Sequence, residues 1–446
     1  MKMKKSLLAI LAMSSVASVA HAADVEVYGI LDAAIGKDQH SYSIDSQFPA
    51  SVNPYSAVKT SVLGSATGMI NGGISDSRVG VKGSQDLGNG MKAFFTLEEG
   101  INLPTGDVNN GAAALAANGG ANAGTSAAAA TSLNGQMFNR QAYAGISDEK
   151  LGSLRVGRNY APMFDIAVAY DPVQNAQLFS PLGFSGTIGG GGGVTEDTRV
   201  DNSLKYGNKF GAFNVGGLYK FGGVAGHSSA KSGYALNAGY EAGDLGVQAA
   251  YEGFNDALSG ASASAGHITT SLNPANNNQV DVTAYNTSSF MLAAKYKLND
   301  KATAKVGFET FTLSKPTESL ATATTTYYGQ TVASLTNFAG ANRTTQILWI
   351  GGDYNYTEAF NLAAGVYNVS TKQSDDYTAT SATNAVAKTG QASSSATYLS
   401  LLADYHYTKA VDTYVGLLYG NFSGNGFSTG YYTTNYTTAV GMRYKF

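Results

Sequence analysis

Arg199, Asp201, Ser203 and Lys205 occupy every second position of one short segment, and Val200, Leu204 and Tyr206 take the alternate positions. Side chains of an extended strand point alternately to its two faces, so this segment has a charged face and an apolar one. Lys92, Phe94, Thr96 and Glu98 alternate in the same way with Ala93, Phe95 and Leu97. At the chain's end Val440, Met442, Tyr444 and Phe446 oppose Gly441, Arg443 and Lys445. A buried core strand does not carry Arg and Lys inward, whereas a strand between lipid and a water-filled lumen can. The chemistry such faces offer is electrostatic, because fixed charges beside a narrow aqueous passage act through low-dielectric walls that concentrate the field.

Other chemistry lacks its residues. The chain has no Cys, which excludes thiolate metal sites, Cys nucleophiles and disulfides. Of the five His, His21 falls in an N-terminal leader, His40, His227 and His267 in expected loops, and His406 near a strand end. None has the spacing of a metal site or a triad. Glu98 and Glu99 are sequence neighbours that point to opposite faces of a strand, so they do not share a proton or a metal. The run Gly189 to Gly193 lacks the Gly-Lys-Ser/Thr ending of a phosphate cradle. We therefore expect no enzyme, no catalytic residue, no metal and no cofactor.

The elements that must position the charges are short strands. Met1 to Ala22 has a basic start at Lys2, Lys4 and Lys5, an apolar stretch and an Ala20-His21-Ala22 ending, the pattern of a cleaved secretory signal. Its removal leaves residues 23–446 with 25 basic and 31 acidic residues, a balance that gives no support for a nucleic-acid partner. Beyond the leader no apolar run is long enough for a membrane helix. Gly 54 and Tyr 28 beside only 13% charged residues would make a poorly charged surface for a globule of 446 residues, but they suit a barrel wrapped in lipid.

Alternation and turn punctuation predict sixteen strands, at about 25–35, 74–84, 90–100, 138–147, 152–159, 199–207, 212–221, 232–242, 245–254, 288–298, 302–312, 343–357, 359–369, 394–407, 411–421 and 435–446. Tight turns such as Asp86 to Gly90 and Leu298 to Lys301 alternate with long polar connections. One short-turn rim and one long-loop rim are the mark of a membrane barrel, and closure lets every backbone group in hydrocarbon find a partner. The predicted fold is all-β, a transmembrane antiparallel barrel. Tyr pairs near strand ends, such as Tyr405 and Tyr407, suit interfacial girdles.

Several segments are similar to a known family. Val25-Glu26-Val27-Tyr28-Gly29-Ile30-Leu31-Asp32-Ala33, Ser77 to Gly88, Arg140 to Ile146, Leu154 to Arg158 and the final Arg443-Tyr444-Lys445-Phe446 resemble the trimeric general porins of Gram-negative outer membranes, of the neisserial and burkholderial type. The resemblance implies a homotrimer in the outer membrane and passive diffusion of small hydrophilic solutes and ions. It also implies a third outer loop, here about Tyr160 to Thr198, folded into the lumen as a constriction. Under it the basic wall of that constriction maps to Arg78, Arg140 and Arg199, with Lys82 and Lys205 sharing their parity; Glu98 maps to the acidic side, and the loop carries Asp165 and Asp171. A closing strand ending on Tyr444 and Phe446 resembles the C-terminal signature of outer-membrane barrels, which implies assembly machinery as a partner beside lipid. The basic wall favours anions. Two alternatives remain open: a substrate-selective channel for small anions, in which the Arg wall is a binding ladder, and a barrel adhesin acting through its loops. Some of the charged residues could instead tie the loop to the wall by salt bridges.

Overall fold

The computed structural model describes residues 24–43, 61–108, 137–184, 198–259, 281–318, 325–327, 330–332, 334–337, 341–372, 393–424 and 432–446. The leader expected at 1–22, the glycine run at 189–193 and the second-loop stretch around 111–134 lie outside them.

The wall is built by β1 (Asp24–Ser43), β2 (Ser61–Asn71), β3 (Arg78–Gly88), β4 (Met91–Asn102), β5 (Gln141–Asp148), β6 (Gly152–Tyr160), β7 (Arg199–Phe210) and β8 (Phe213–Lys220). It continues through β9 (Gly233–Ala242), β10 (Leu245–Ser259), β11 (Asp281–Lys297), β12 (Ala302–Ser314) and β13 (Arg343–Asn355). The remainder is β14 (Phe360–Thr371), β15 (Ser394–His406), β16 (Val411–Gly424) and β17 (Tyr432–Lys445). β2 and β3 both pair antiparallel with β1, each strand from β3 onward pairs antiparallel with the next along the chain, and β17 returns to β1 with Ile30 opposite Lys445 and Gln39 opposite Tyr436. The ring is a closed 16-strand antiparallel barrel, because β2 and β3 share one wall position. Closure pairs the backbone groups along the wall, which hydrocarbon requires.

Turn chemistry fixes the tight rim. Gly88, Asn89 and Gly90 all take positive φ, 82°, 54° and 80°, the left-handed backbone that Gly and Asn accept most readily, and they join β3 to β4 in a hairpin. Along the strands exposure alternates as the pleat demands, and Leu348 and Ile350 on β13 or Leu399 and Leu401 on β15 stand outward among the exposed large apolar side chains.

The sequence-predicted strand at 74–84 is interrupted. The β1 ladder pairs Asp24 to Ile30 with β3 and Ala33 to Ser43 with β2, and residues 72–77 leave the wall between them. His40, expected in a loop, falls inside β1. The second half of the excursion returns the chain to the wall at Arg78.

Inside the ring the chain from Ala161 to Phe184 forms α1 (Pro162–Tyr170), a turn and α2 (Pro181–Phe184). Pro162 suits the first helical position, where its missing N–H has no partner to lose. Met163, Ile166, Tyr170, Val173, Phe179 and Leu182 are buried against inward residues of the opposite wall, among them Met291, Trp349, Tyr367 and Leu418. Charged inner faces therefore occur on β3 to β7, whereas β12 to β16 also turn large apolar groups inward. The loop supplies the apolar partner that a bare lumen would lack.

Candidate functional site: a charged cluster facing an inward loop

Across the lumen from the loop's apolar contacts, charged residues from four elements converge. Arg140, just before β5, donates from Nε to Glu98 Oε1 at 2.7 Å, from Nη1 to Asp76 Oδ2 at 2.7 Å and from Nη2 to the Tyr160 hydroxyl at 2.8 Å. Arg199 Nη2 lies 3.6 Å from the same Asp76 oxygen. Glu98 also accepts from Tyr160 at 2.9 Å and from Tyr28 at 2.9 Å. The Tyr160 ring sits beside both guanidinium groups, 5.9 Å from Arg140 and 6.0 Å from Arg199.

Burial separates the three arginines. Arg140 and Arg199 are 2% and 4% exposed, so their charges are engaged by the cluster, whereas Arg78 is partly exposed and makes no ion pair within 4 Å among the described residues. Three arginines gather about Glu98 and Asp76, and Arg78, which acts on Glu98 electrostatically, is the one partly open to water.

The loop is fixed to the wall at both ends of α1. At its N-terminus no side chain of the helix caps the first turn, and the buried wall residue Glu252 instead accepts from the Met163 N–H at 2.7 Å. Lys205 donates to the Tyr160 carbonyl at 2.8 Å and pairs with Asp165. At the C-terminus Trp349 Nε1 donates to the Tyr170 carbonyl at 3.1 Å and Lys305 to the Asp171 carbonyl at 3.1 Å, and Tyr367 donates to the Asp171 carboxylate. Burial raises the Asp171 carboxyl above the ordinary range, with Tyr367 and Ser180 acting against that rise. Burial and the hydrogen bond to Glu241 likewise push the Tyr170 hydroxyl up.

The residues expected at the constriction thus sort into four groups. Arg78, Arg140, Arg199 and Glu98 come together. Lys205 and Asp165 form a tie between wall and loop, and the Asp165 side chain remains 53% exposed. Asp171 is fully buried and faces wall groups rather than water, which departs from its expected place on the acidic side. Lys82 lies two rungs away from the cluster on β3, paired at 3.1 Å with Glu26, both exposed. Sequence reasoning missed Asp76 and Tyr160. Asp76 lies in the segment that was expected to be strand, and only its departure from the wall brings it to the arginines.

One further grouping arises across a hairpin. His406 lies 3.7 Å from Asp404 and 3.6 Å from Asp412, a geometry able to hold a metal. Yet Arg443 and Lys445 stand 3.0 and 3.1 Å from Asp412, so a divalent cation would meet two positive charges.

The sequence signature described as Gram-negative porin matches residues 7–425. The chain belongs to that family. Among curated relatives, this porin is 28% identical over 228 residues to an outer membrane porin protein of Bordetella pertussis, covering 49% of this chain and 48% of that one. It is 30% identical over 184 residues to the major outer membrane protein P.IA of Neisseria meningitidis, covering 41% and 40%. The chain spans about half the length of the curated relatives it matches. Among solved structures the porin is similar to an anion-selective porin from Comamonas acidovorans, with a TM-score of 0.59, 17% identity and coverage of 95% and 100%. It is also similar to a Salmonella typhi OmpF complex with daunomycin, with a TM-score of 0.52, 18% identity and coverage of 95% and 97%. At those identities the likeness is one of fold. Family and barrel together place this porin in the Gram-negative outer membrane.

Proposed function

We propose that this porin is a homotrimeric, water-filled channel through which small hydrophilic solutes and ions diffuse passively. The observation that supports this most is the opposition inside one closed ring: a loop seated on the wall from β11 to β16, and the cluster of Arg78, Arg140, Arg199, Glu98 and Asp76 on β3 to β7 and their connections. A transverse field between the cluster and the loop orients polar solutes and disfavours apolar ones, which must displace ordered water. The partly exposed Arg78 beside two buried arginines favours anions. No catalytic role is assigned to any residue.

Export by the leader at 1–22, and recognition of the closing strand with Tyr444 and Phe446 by barrel assembly machinery, complete the proposal. The second reading, a selective channel for small anions, is favoured by the clustering of three arginines. Planar-bilayer recordings separate the two. Conductance in steps of three with current proportional to solute concentration supports diffusion; saturable block by a small anion supports selectivity, and absence of conductance refutes both and leaves the adhesin.

A further inference from the structure

We infer that Gly416 is a positioning residue, the socket of a dock that holds the tip of the inward loop and so sets the width of the passage. The inference rests on the channel reading above for its functional consequence and on geometry alone for the dock. Gly416 faces inward on β16 between Tyr414 and Leu418, and its missing side chain leaves space that the Phe179 ring fills. A Cβ placed there would meet three ring carbons of Phe179 at 2.6 to 2.7 Å, closer than carbon atoms approach in folded proteins. Phe179 is itself fully buried, with its ring edge-on to Tyr414 at 6.3 Å and 76°.

Tyr414 continues the dock. Its ring lies across Gly441 and Gly73, and its hydroxyl donates to the Asp32 carboxylate. The same carboxylate accepts the N–H groups of Gly73, Ile74 and Ser75 at 3.0, 3.1 and 2.8 Å, which shapes the excursion between β2 and β3. The excursion then turns its own carbonyls to the loop: Gly73 accepts from Leu178 N–H at 2.9 Å and Ile74 from Gln177 N–H at 3.1 Å. The loop tip is thus gripped on one side by two backbone hydrogen bonds and on the other by a ring in a glycine socket. Both grips are anchored on the seam where β1, β16 and β17 close the barrel.

The wall cannot give way at this point. Gly416 is paired with Leu402 on one side and Ala439 on the other, so a methyl group there is held by two ladders while Phe179 is held by one loop. A close-packed interior passes such an overlap to the less constrained partner. Gly416→Ala then pushes the Phe179 ring off the wall and the tip into the lumen.

Because the chain has no Cys, a single thiol reports the tip directly. Ser180 is fully buried beside Phe179, and Ser180→Cys supplies the probe in the full-length protein. In that background Gly416→Ala should label with a charged thiol reagent about tenfold faster, the change that ~1.4 kcal/mol easier local opening produces. Its unitary conductance should fall and flicker. Phe179→Ala should also accelerate labelling, and adding Gly416→Ala to it should accelerate labelling no further, since the methyl then has room. Unchanged labelling in Gly416→Ala, or an equal acceleration on top of Phe179→Ala, would overturn the dock. If Gly416→Ala alone does not fold, the double variant with Phe179→Ala should fold, and its failure to do so overturns the dock equally. Labelling needs no current, so a silent unsubstituted protein sinks the channel reading and leaves the dock to be judged on its thiol.

Discussion

Asp76 Oδ2 lies 2.7 Å from Arg140 Nη1 and 3.6 Å from Arg199 Nη2, so one carboxylate oxygen serves two buried guanidinium groups. It reaches them from a six-residue departure from the wall. The cluster's net charge therefore depends on a residue outside every strand.

Neutralising that oxygen should change selectivity and weaken the cluster together. Asp76→Asn keeps the side chain's shape and removes a negative charge beside two arginines, so the reversal potential under a salt gradient should move towards anion preference. A move towards cations, or none, would take Asp76 out of the conducting path.

Arg78 and Arg140 should behave differently although both were assigned to one wall. Arg140→Ala removes the short ion pairs of buried Glu98 and Asp76 and should cost about 3 to 5 kcal/mol of stability. Removing the exposed Lys82 partner of Glu26 should cost less than about 1 kcal/mol. Arg78→Gln should leave the denaturation midpoint nearly unchanged while shifting the reversal potential towards cations. The comparison needs denaturant unfolding of all three variants in one detergent.

Asp171 sets a pH dependence for the loop. Burial raises its carboxyl above the ordinary value, so the folded protein binds that proton more tightly than the unfolded chain does. Its contribution to stability is then largest in acid and falls as pH rises from the ordinary value through the raised one. Asp171→Asn, which resembles the protonated form, should keep the loop seated and flatten this slope in melting temperature against pH. Asp171→Leu leaves Tyr367 without its acceptor and should lower the melting temperature at every pH.

The chain end is also a structural clasp. Gly29 and Phe446 exchange two backbone hydrogen bonds, at 3.0 and 3.1 Å, and the Phe446 ring occupies the space beside Gly29 where a side chain would stand. Deleting Phe446 should remove both bonds, worth about 1 kcal/mol each, from the closing seam. The folded fraction on heat-modifiability gels should drop, and an unchanged fraction would confine Phe446 to a role before closure.

Much of the barrel was legible because its rules are local. Lipid and water alternate across a strand with period two, so Lys205 and Tyr206 declare their faces within a few residues, and Asp and Gly mark tight turns such as Asp86 to Gly90 without reference to the rest of the chain; Val200, expected outward, is instead buried with Ala161 of the loop, because the pairing of β6 with β7 shifts register before it. The same locality located the closing strand at Val440 to Phe446 and the arginines worth watching. It could not divide those arginines into buried and open, because that depends on Asp76, which the alternation pattern absorbed into a strand. Nor could it tell Asp165 from Asp171, six residues apart on one loop, since only the loop's path puts one towards water and the other against Tyr367.

What the sequence by itself determined was the period-two wall, its tight rim and the inventory of charges. Tertiary structure alone decided where the wall breaks, which carboxylate meets which guanidinium and how the loop is seated. The physical reason is reach: Tyr414 meets Asp32 across 382 residues of chain, and a contact of that kind exists only once the ring has closed in register.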